Sequence, residues 1–266
     1  MKSIKDQWIV ITGASSGIGR SAAFLLAAEG ARLILVSRNE VKLRGIALEI
    51  YESNPNNHKP LIIPCDISNE NEVKQMVKTC INLTGGIDIL INNAGIGIYG
   101  EFFKNSIYDI RQVMDVNFFG AIHCINCFLP YMKKKGMGQI INIASVAALH
   151  GIPYLGVYSA SKAALASLSQ SLRAELYDTN IQVKVIYPGY TDTNFFVNEK
   201  KVGSVKRPEG PYESPEYVAR AILRVINSEN KNYVMTLKGK LLSVLNHLFP
   251  GLVDFIMKRY AMQLNY

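Results

Sequence analysis

The sequence is poor in cysteine and in charge. Its four cysteines are too few and too unevenly spaced for the disulfide framework of a secreted domain, so reduced thiols are expected. Charged residues make up 19% of the chain, against about a quarter in an average protein. Because 48% of the 266 residues are hydrophobic, there is enough apolar material for a large core, and a disordered or highly charged protein is excluded.

Signals for metal, nucleic acid and secretion are also scarce. Cys124 and Cys127 form a lone CxxC without the second ligand pair that a zinc site needs, so they are interpreted as small apolar side chains and no metal site is expected. The 29 basic residues exceed the 21 acidic ones, but no aromatic-basic motif concentrates them, and no nucleic-acid partner is expected. The first residues lack the apolar run and cleavage site of a signal peptide, so a cytoplasmic location is expected.

Short apolar runs alternate with longer helical patterns along most of the chain. The nearly continuous runs predict strands buried on both faces, at residues 8–11, 33–36, 61–63, 87–91, 140–143, 183–186 and 232–236. Helices are predicted near 17–29, 40–53, 69–83, 106–134, 155–178 and 214–228. This alternation predicts an α/β fold with a Rossmann-type, doubly wound parallel sheet of about seven strands.

No linker interrupts the alternation, so residues 1–266 are expected to form a single dinucleotide-binding and catalytic domain. Its core is predicted over about 7–236. The long connection at about 190–212 is interpreted as a substrate lid, because loops of that length are usually functional. An apolar helical tail is predicted at about 237–266.

A glycine-rich segment, TGASSGIG at residues 12–19, follows the first predicted strand and opens the first predicted helix. Glycines let the backbone turn tightly and approach a ligand closely, and the free N–H groups of the helix N-terminus attract a pyrophosphate. The strand, turn and helix in this order predict a dinucleotide-binding loop.

The second predicted strand ends without the carboxylate that an NAD-specific enzyme uses to bind the adenosine ribose. Ser37 carries no negative charge to repel a 2′-phosphate, and Arg38 offers a fork of donors to bind one. These two residues favour NADP(H) over NAD(H). The alternative for Arg38 is a solvated surface cation.

Polar residues also follow the third and fourth predicted strands, at the edge where ligands gather in parallel sheets. Asp66 follows the third strand, and Asn92 and Asn93 follow the fourth. Asp66 is interpreted either as a cofactor contact or as the N-cap of the next helix, a position for which Ser68 also competes.

Tyr158 and Lys162 are four residues apart in a predicted helix, so they project from one face and can address the same ligand. A free tyrosine, with a pKa of about 10, is a weak acid/base at neutral pH, but a cation beside it favours the ionised form. Ser145 follows the fifth predicted strand, close to the same edge. Standing alone, the pair would indicate only an ordinary amphipathic helix.

Six motifs, in this order and spacing, resemble the classical short-chain dehydrogenase/reductase family over about residues 7–236. They are TGASSGIG, NNAG at 92–95, Asn117 in VMDVNFFG, Ser145, YSASK at 158–162 and the turn Pro188-Gly189.

The resemblance implies a catalytic set of four residues. Tyr158 would be the acid/base, and Ser145 would hydrogen-bond the reacting oxygen. Lys162 would lower the pKa of the tyrosine and hold the nicotinamide ribose, while Asn117 would support a water-linked proton relay.

The resemblance also implies where NADP(H) lies. The glycine loop would line the phosphates, Asp66 would face the adenine, Asn93 would lie along the cofactor, and the segment from Pro188 to Thr193 would border the nicotinamide. The full set expected to bind the cofactor is Gly13, Ser15, Ser16, Gly17, Ile18, Gly19, Ser37, Arg38, Asp66, Ile67, Asn93, Ala94, Gly95, Tyr158, Lys162, Pro188, Gly189, Thr191 and Thr193.

The implied activity is an NADP(H)-dependent interconversion of a ketone or aldehyde with an alcohol. Apolar residues near the lid, namely Tyr154, Leu155, Phe195 and Phe196, are expected to line a hydrophobic substrate, such as a lipid-like, acyl or steroid-like carbonyl compound, which suggests a role in lipid metabolism. The alternative is a non-catalytic module that senses NADPH or serves as a structural partner.

The tail admits two interpretations. Its amphipathic pieces either pack over the substrate side of the sheet or against another subunit of an expected homo-oligomer, or they touch a membrane surface peripherally. The apolar residues assigned to the membrane are Leu241, Leu242, Leu245, Leu248, Phe249, Leu252, Val253, Phe255 and Ile256. The cations that would assist them are Lys238, Lys240, Lys258 and Arg259. A membrane-spanning helix is not expected, because a proline-glycine break and an acid interrupt the segment.

Overall fold

The computed structural model describes residues 3–53, 58–193, 200–206 and 212–264. Within this part of the chain, seven parallel strands form one sheet and two short strands form a second. The strands of the main sheet are β1 Trp8–Thr12, β2 Arg32–Ser37, β3 Leu61–Pro64, β4 Ile89–Asn92, β6 Gly138–Ile143, β7 Ile181–Tyr187 and β9 Asn232–Val234; the other two are β5 Ile98–Gly100 and β8 Lys200–Val202. The main sheet has the order β3-β2-β1-β4-β6-β7-β9, which confirms the predicted fold class.

Helices connect the strands on both faces of the sheet. They are α1 Gly17–Ala28, α2 Glu40–Ser53, α3 Glu70–Thr84, α4 Ile107–Met114, α5 Gly120–Lys135, α6 Gly156–Glu175, α7 Pro215–Ile226, α8 Leu237–Leu248 and α9 Pro250–Leu264. A π-helical turn, Asp115–Phe119, joins α4 to α5. By length and composition this continuous helix is the one candidate membrane span among the described residues, but side chains such as Phe128 lie in the protein core.

Successive residues of the central strands face opposite helical layers. Ile9 and Ile11 of β1 belong to a core cluster that includes residues of α1 and α7, whereas Val10 belongs to a second cluster with α3 and α5. All three side chains are fully buried. Burial on both faces explains why the strands appear in the sequence as continuous apolar runs.

The strand register brings the carboxyl ends of the parallel strands to one edge. Thr12 of β1 pairs with Val36 of β2, and Asn92 of β4 pairs with Asn142 of β6. The segments that follow these strands therefore meet at the same edge of the sheet, which is where the candidate site residues are found.

A buried polar ladder crosses the sheet just below this edge. Asn92 donates from Nδ2 to Oδ1 of Asn142 at 2.9 Å, and Asn142 donates from Nδ2 to Oγ of Ser169 at 2.8 Å. Ser169 lies on α6, so the ladder ties β4 and β6 to that helix. No more than 3% of any of the three residues is exposed.

The helix α3 lies where it was predicted, but both residues predicted as its N-cap are wrong. Asn69 is the N-cap, and its side-chain oxygen accepts hydrogen bonds from the backbone N–H groups of Asn71 and Glu72. Asp66 and Ser68, the two candidates, instead bond to each other: Oδ1 of Asp66 accepts from the backbone N–H and the hydroxyl of Ser68 at 3.0 and 2.7 Å. This local turn moves the first free N–H groups of the helix within reach of Asn69.

The long connection after β7 is anchored at two points. A bridge pairs Thr191 with Glu213, and β8 pairs with β5 in parallel. Gly100 of β5 is needed there, because a Cβ at this residue would lie 1.8 Å from the carbonyl oxygen of Val202. Nζ of Lys200 also binds the Asp109 carboxylate at 2.7 Å. The sequence indicated neither anchor.

The tail forms two helices, as expected, and they pack over the substrate side of the sheet. Asn246 of α8 donates from Nδ2 to the carbonyl oxygen of Leu149 at 3.2 Å. The carbonyl oxygen of Ala261 in α9 accepts a hydrogen bond from the Tyr154 hydroxyl at 3.3 Å. The tail therefore contacts the loop between β6 and α6.

Replacing Asn142 with leucine should lower the free energy of unfolding by about 2 kcal/mol, because Nδ2 of Asn92 is left buried without an acceptor. Urea unfolding measures the loss. The double variant Asn92→Leu/Asn142→Leu removes both partners and should recover most of the stability. A double variant no more stable than the single one would contradict this account of the ladder.

Candidate active site

A cavity of ≈ 560 Å³ opens at the carboxyl edge of the main sheet. The loops that follow six of its strands line it. The predicted residues that line it are Gly13, Ser15, Ser16, Gly17, Ile18, Ser37, Arg38, Asp66, Ile67, Asn93, Ala94, Gly95, Ser145, Leu155, Tyr158, Lys162, Pro188, Gly189, Thr191 and Thr193. Gly19, Asn117 and Tyr154 lie outside the lining, and Phe195 and Phe196 lie outside the described residues.

The glycine loop has the shape needed for a close backbone approach. Gly13 has a φ of +67°, and a Cβ on it would lie 2.7 Å from Cα of Ala94. A Cβ on Gly19 would lie 2.3 Å from the carbonyl oxygen of Gly13, so Gly19 supports the loop from behind. Ser16, the N-cap of α1, makes no capping hydrogen bond with its side chain. The N–H groups of this helix N-terminus are thus not used by a side-chain cap, which fits a bound pyrophosphate.

The part of the cavity after β2 carries two cations and a buried hydroxyl. Oγ of Ser37 is buried and has no hydrogen-bond partner among the described residues. The side chain of Arg38 is 70% exposed and lies 3.8 Å from the Asp66 carboxylate. Lys42, in the first turn of α2, lines the same part of the cavity, and no motif in the sequence indicated it. This donor set fits a nucleotide phosphate.

A parallel sheet, a glycine turn before α1 and hydrogen-bond donors after β2 are the features of a dinucleotide-binding fold.

Lys162 lies almost fully buried beneath the cavity. Its Nζ donates to the carbonyl oxygen of Ile143, at the end of β6, at 2.9 Å. The same atom lies 5.9 Å from the centre of the Tyr158 ring. Burial lowers the pKa of Lys162 from 10.5 to about 8, because a charged group loses its hydration there. The ammonium form therefore still predominates at pH 7.

Ser145 begins a 3₁₀ turn, Val146–Ala148, directly after β6. Its Oγ accepts a hydrogen bond from the backbone N–H of Ala147 at 3.1 Å. The N–H of Val146 donates to the carbonyl oxygen of Pro188 at 2.9 Å, which joins this turn to the loop after β7. Ser145, before the 3₁₀ turn, and Tyr158, in the first turn of α6, thus line one cavity.

Asn117 lies in the π-helical turn and is 1% exposed. Its Nδ2 donates to the carbonyl oxygen of Ile96 and to Oγ of Ser161, each at 2.9 Å, and its Oδ1 accepts from the N–H of Ile96 at 2.8 Å. These bonds hold the segment after β4 against α6. The side chain is a positioning group in this arrangement, and the part of Asn117 in a proton relay stays a prediction.

The substrate side of the site is apolar and aromatic. Tyr158 packs against a buried cluster that includes Tyr99, Leu155 and the tail residue Leu264, and Tyr260 of the tail packs against the same cluster. Nothing in the sequence pattern predicted that the tail would reach Tyr158, because the two are about a hundred residues apart.

Tyr154 lies beside this cluster with a φ of +66°, a strained conformation for a residue other than glycine. It lines a second cavity of ≈ 340 Å³, which shares Ile152 with the main cavity. Tyr154 therefore lines this neighbouring cavity and not the main one, and its contact with a substrate stays a prediction.

A sequence model of the short chain dehydrogenase family matches residues 7–202. Because the match covers more than half of the chain, the protein belongs to the short-chain dehydrogenase/reductase family, as the motifs implied. The family makes the chain an oxidoreductase of the kind that acts on alcohol and carbonyl groups.

Named relatives agree with this assignment, and a solved structure shares the fold. The chain is 34% identical over 274 residues to the Dehydrogenase/reductase SDR family protein 7-like of Anopheles gambiae, covering 99% of this chain and 86% of that protein. It is 31% identical over 267 residues to the Ketoacyl reductase HetN of a Nostoc strain, covering 98% and 91%. A short chain dehydrogenase/reductase from Burkholderia phymatum in complex with NAD superposes with a TM-score of 0.84, at 24% identity, over 95% of this chain and 96% of that one.

Lys162→Met should change how stability depends on pH. Between pH about 8 and 10.5 the folded wild-type protein has released the Lys162 proton that the unfolded chain still holds, so the free energy of unfolding of the wild type rises with pH. Over this pH range the free energy of unfolding of the wild type should increase by about 3 kcal/mol more than that of Lys162→Met. Urea unfolding of the nucleotide-free protein across this range measures it.

Lys231→Met, at an exposed lysine, is the matched control and should follow the wild-type profile. Parallel profiles for wild type and Lys162→Met would contradict the assigned burial of the ammonium group.

Proposed function

We propose that the protein is an NADP(H)-dependent oxidoreductase that interconverts a ketone or aldehyde with an alcohol on a hydrophobic substrate. The observation that carries this proposal is the single cavity that joins the glycine loop, the cations after β2 and the Ser145, Tyr158 and Lys162 side chains. This cavity brings together residues suited to bind a nucleotide and residues suited to transfer a proton, and the proposed reaction needs both.

Tyr158 acts as the acid/base at the oxygen of the substrate. Its hydroxyl gives a proton to the oxygen when a carbonyl is reduced, and it takes the proton back when an alcohol is oxidised. The buried ammonium of Lys162 favours the ionised phenol electrostatically, because a charge acts more strongly where water is excluded. Ser145 hydrogen-bonds the same substrate oxygen and orients it toward Tyr158.

The residues of the cavity would hold the cofactor along its length. The glycine loop and the N-terminus of α1 would bind the pyrophosphate, and the segment from Pro188 to Thr193 would border the nicotinamide. When bound, NADP(H) supplies or accepts the hydride. The chain contributes orientation and a dry environment around Tyr158, which is partly buried.

The preference for NADP(H) over NAD(H) rests on charge. Arg38 and Lys42 are the cations at the adenosine end of the cavity, and Ser37 offers a hydroxyl in place of a carboxylate. A 2′-phosphate would accept charge-assisted hydrogen bonds from this set. Arg38 already lies near Asp66, so it is held close to the position in which a phosphate would bind. The fold alone does not determine whether NADP(H) or NAD(H) binds, since the Burkholderia neighbour is in complex with NAD.

The hydrophobic substrate class rests on the apolar wall beside Tyr158. Ile152, Leu155 and Tyr190 line the cavity there, and Tyr99 and Val205 are buried behind them in the same cluster. Such a wall stabilises a lipid-like, acyl or steroid-like carbonyl compound better than a polar one. The Nostoc relative is named a ketoacyl reductase, which is consistent with an acyl substrate and a role in lipid metabolism.

We also propose that the chain works in the cytoplasm as a homo-oligomer, with its tail in peripheral contact with membrane. The support for an oligomer is the set of exposed aromatic side chains on the continuous helix from α4 to α5, including Tyr108, Phe119 and Tyr131. Sedimentation velocity of the purified chain distinguishes a monomer from an oligomer.

Removing the two cations at the adenosine end should weaken NADPH binding selectively. The variant Arg38→Gln/Lys42→Gln should raise the KM for NADPH by about tenfold to a hundredfold, because each lost charge-assisted bond is worth roughly 1.5–3 kcal/mol, part of which water replaces. The KM for NADH should change by less than about threefold, since NADH has no 2′-phosphate.

Arg44→Gln is the matched control, because Arg44 pairs with Glu40 on the same helix and does not line the cavity. If Arg38→Gln/Lys42→Gln changes the KM for NADPH and the KM for NADH equally, the proposed preference for NADP(H) is contradicted.

Tyr158→Phe should keep NADPH binding and lose turnover by a factor of about 10²–10⁴, because only the proton-transferring hydroxyl is removed. NADPH binding is followed by fluorescence titration, and turnover by NADPH oxidation with a panel of ketones and aldehydes. Tyr177→Phe, at a tyrosine that is 85% exposed, should behave like the wild type. Tight NADPH binding by the wild type without turnover of any carbonyl compound would favour the sensing module instead.

A further inference from the structure

One side of α8 carries a stripe of exposed apolar side chains. Leu237, Leu241, Val244 and Leu248 follow one another at intervals of three or four residues, so they lie on one face of the helix. Their exposed fractions range from 55% to 82%. A continuous apolar stripe left in water marks a contact surface.

The stripe continues through Phe249, the residue between the two helices, onto α9. Phe249, Leu252, Phe255 and Ile256 are 44–57% exposed, whereas Val253, between them in sequence, is 1% exposed. Both helices are therefore amphipathic, with one side packed on the protein and the other open. The eight exposed residues of this stripe form what we call the outer face. Of the nine apolar residues that the sequence assigned to a membrane, Val253 is buried and Leu242 and Leu245 are half-buried.

The opposite side of the same helices supports the active site. Nδ1 of His150 lies 2.8 Å from Oδ1 of Asn246 in α8, and a Cβ on Gly239 would lie 2.7 Å from Cγ1 of Val146, the residue after Ser145. In α9, Tyr260 and Leu264 pack in the cluster around Tyr158. A partner that covers the outer face would thus lie one helix away from the substrate.

The charges of the tail identify the partner. Residues 237–264 contain four cations, Lys238, Lys240, Lys258 and Arg259, and a single acid, Asp254, which gives a net charge of +3. The guanidinium of Arg259 lies 4.8 Å from the centre of the Phe255 ring, so a cation stands directly beside the apolar stripe. Two copies meeting through this face would oppose like charges, whereas anionic headgroups would be attracted to it.

We propose that the outer face docks on a bilayer that contains anionic phospholipid. The apolar side chains enter the boundary of the acyl region, and the cations remain at the headgroups. This docking rests on the exposed side chains and their charges. The delivery of an apolar carbonyl compound from the bilayer to Tyr158 is a further step that rests on the proposed function.

Flotation of the full-length protein with lipid vesicles tests the docking. We expect binding to vesicles of phosphatidylcholine mixed with phosphatidylglycerol, weaker binding to phosphatidylcholine alone, and loss of binding as salt is raised. The variant Leu241→Gln/Leu248→Gln/Phe255→Gln should reduce binding by at least about tenfold. Near-ultraviolet circular dichroism and NADPH titration confirm that this variant is folded.

The matched control is Leu48→Gln/Leu83→Gln/Tyr177→Gln, three apolar residues on other helices or loops that are 49%, 59% and 85% exposed. It should float like the wild type. Equal flotation of the two triple variants would overturn the proposal.

The cations are tested in the same way. Lys240→Gln/Lys258→Gln should reduce binding to the anionic vesicles by about tenfold, whereas Lys133→Gln/Lys134→Gln, at exposed lysines of α5, should not. Self-association that disappears in the outer-face variant, with no lipid binding by the wild type, would instead identify a subunit interface and would overturn the lipid assignment.

Activity measurements separate docking from delivery. Dodecanal held in anionic vesicles should show an apparent KM about tenfold higher for the outer-face variant than for its control, while kcat for water-soluble butanal should be the same in both. Flotation as expected with no turnover of either aldehyde would contradict the proposed function and leave the docking surface supported. If both proteins turn over dodecanal and the apparent KM of the outer-face variant equals that of its control, delivery from the bilayer would be overturned.

Discussion

The ammonium group of Lys162 is the constraint on which the candidate site depends. It is buried between α6 and the end of β6, and its bond to the carbonyl oxygen of Ile143 fixes the helix against the sheet. Tyr158 stands one helical turn away, so the same bond determines where the phenol meets the cavity. Burial makes the charge costly, and a pKa of about 8 leaves it protonated at neutral pH. The site thus keeps a cation where water cannot screen it.

The sequence was sufficient for the sheet and for the main parts of the site because both follow from short-range patterns. The apolar runs around Ile9 and Ile141 could only be strands covered on both faces. Once the strands are parallel, their carboxyl ends must share an edge, which places Gly13, Ser37 and Ser145 around one cavity. The spacing of Tyr158 and Lys162 required only the geometry of a helix.

Other features depend on contacts between distant parts of the chain, which leave no periodic signal. The cap of α3 shifted to Asn69 because Asp66 and Ser68 bond to each other. The pairing of β8 with β5 and the packing of Tyr260 near Tyr158 bring together segments about a hundred residues apart. Asn117 could be identified from its motif, but its three hydrogen bonds to Ile96 and Ser161 could not be predicted from the sequence.

The short strand β8 also has a consequence for how such an enzyme can change over evolution. By pairing with β5 it divides the connection between β7 and α7 into two shorter spans, each fixed at both ends. The entropy lost on closing a loop depends on its own length, so an insertion or exchange in one span leaves the other unaffected. A change in the length of one span can therefore be accommodated while the strands and the lining of the cavity keep their arrangement.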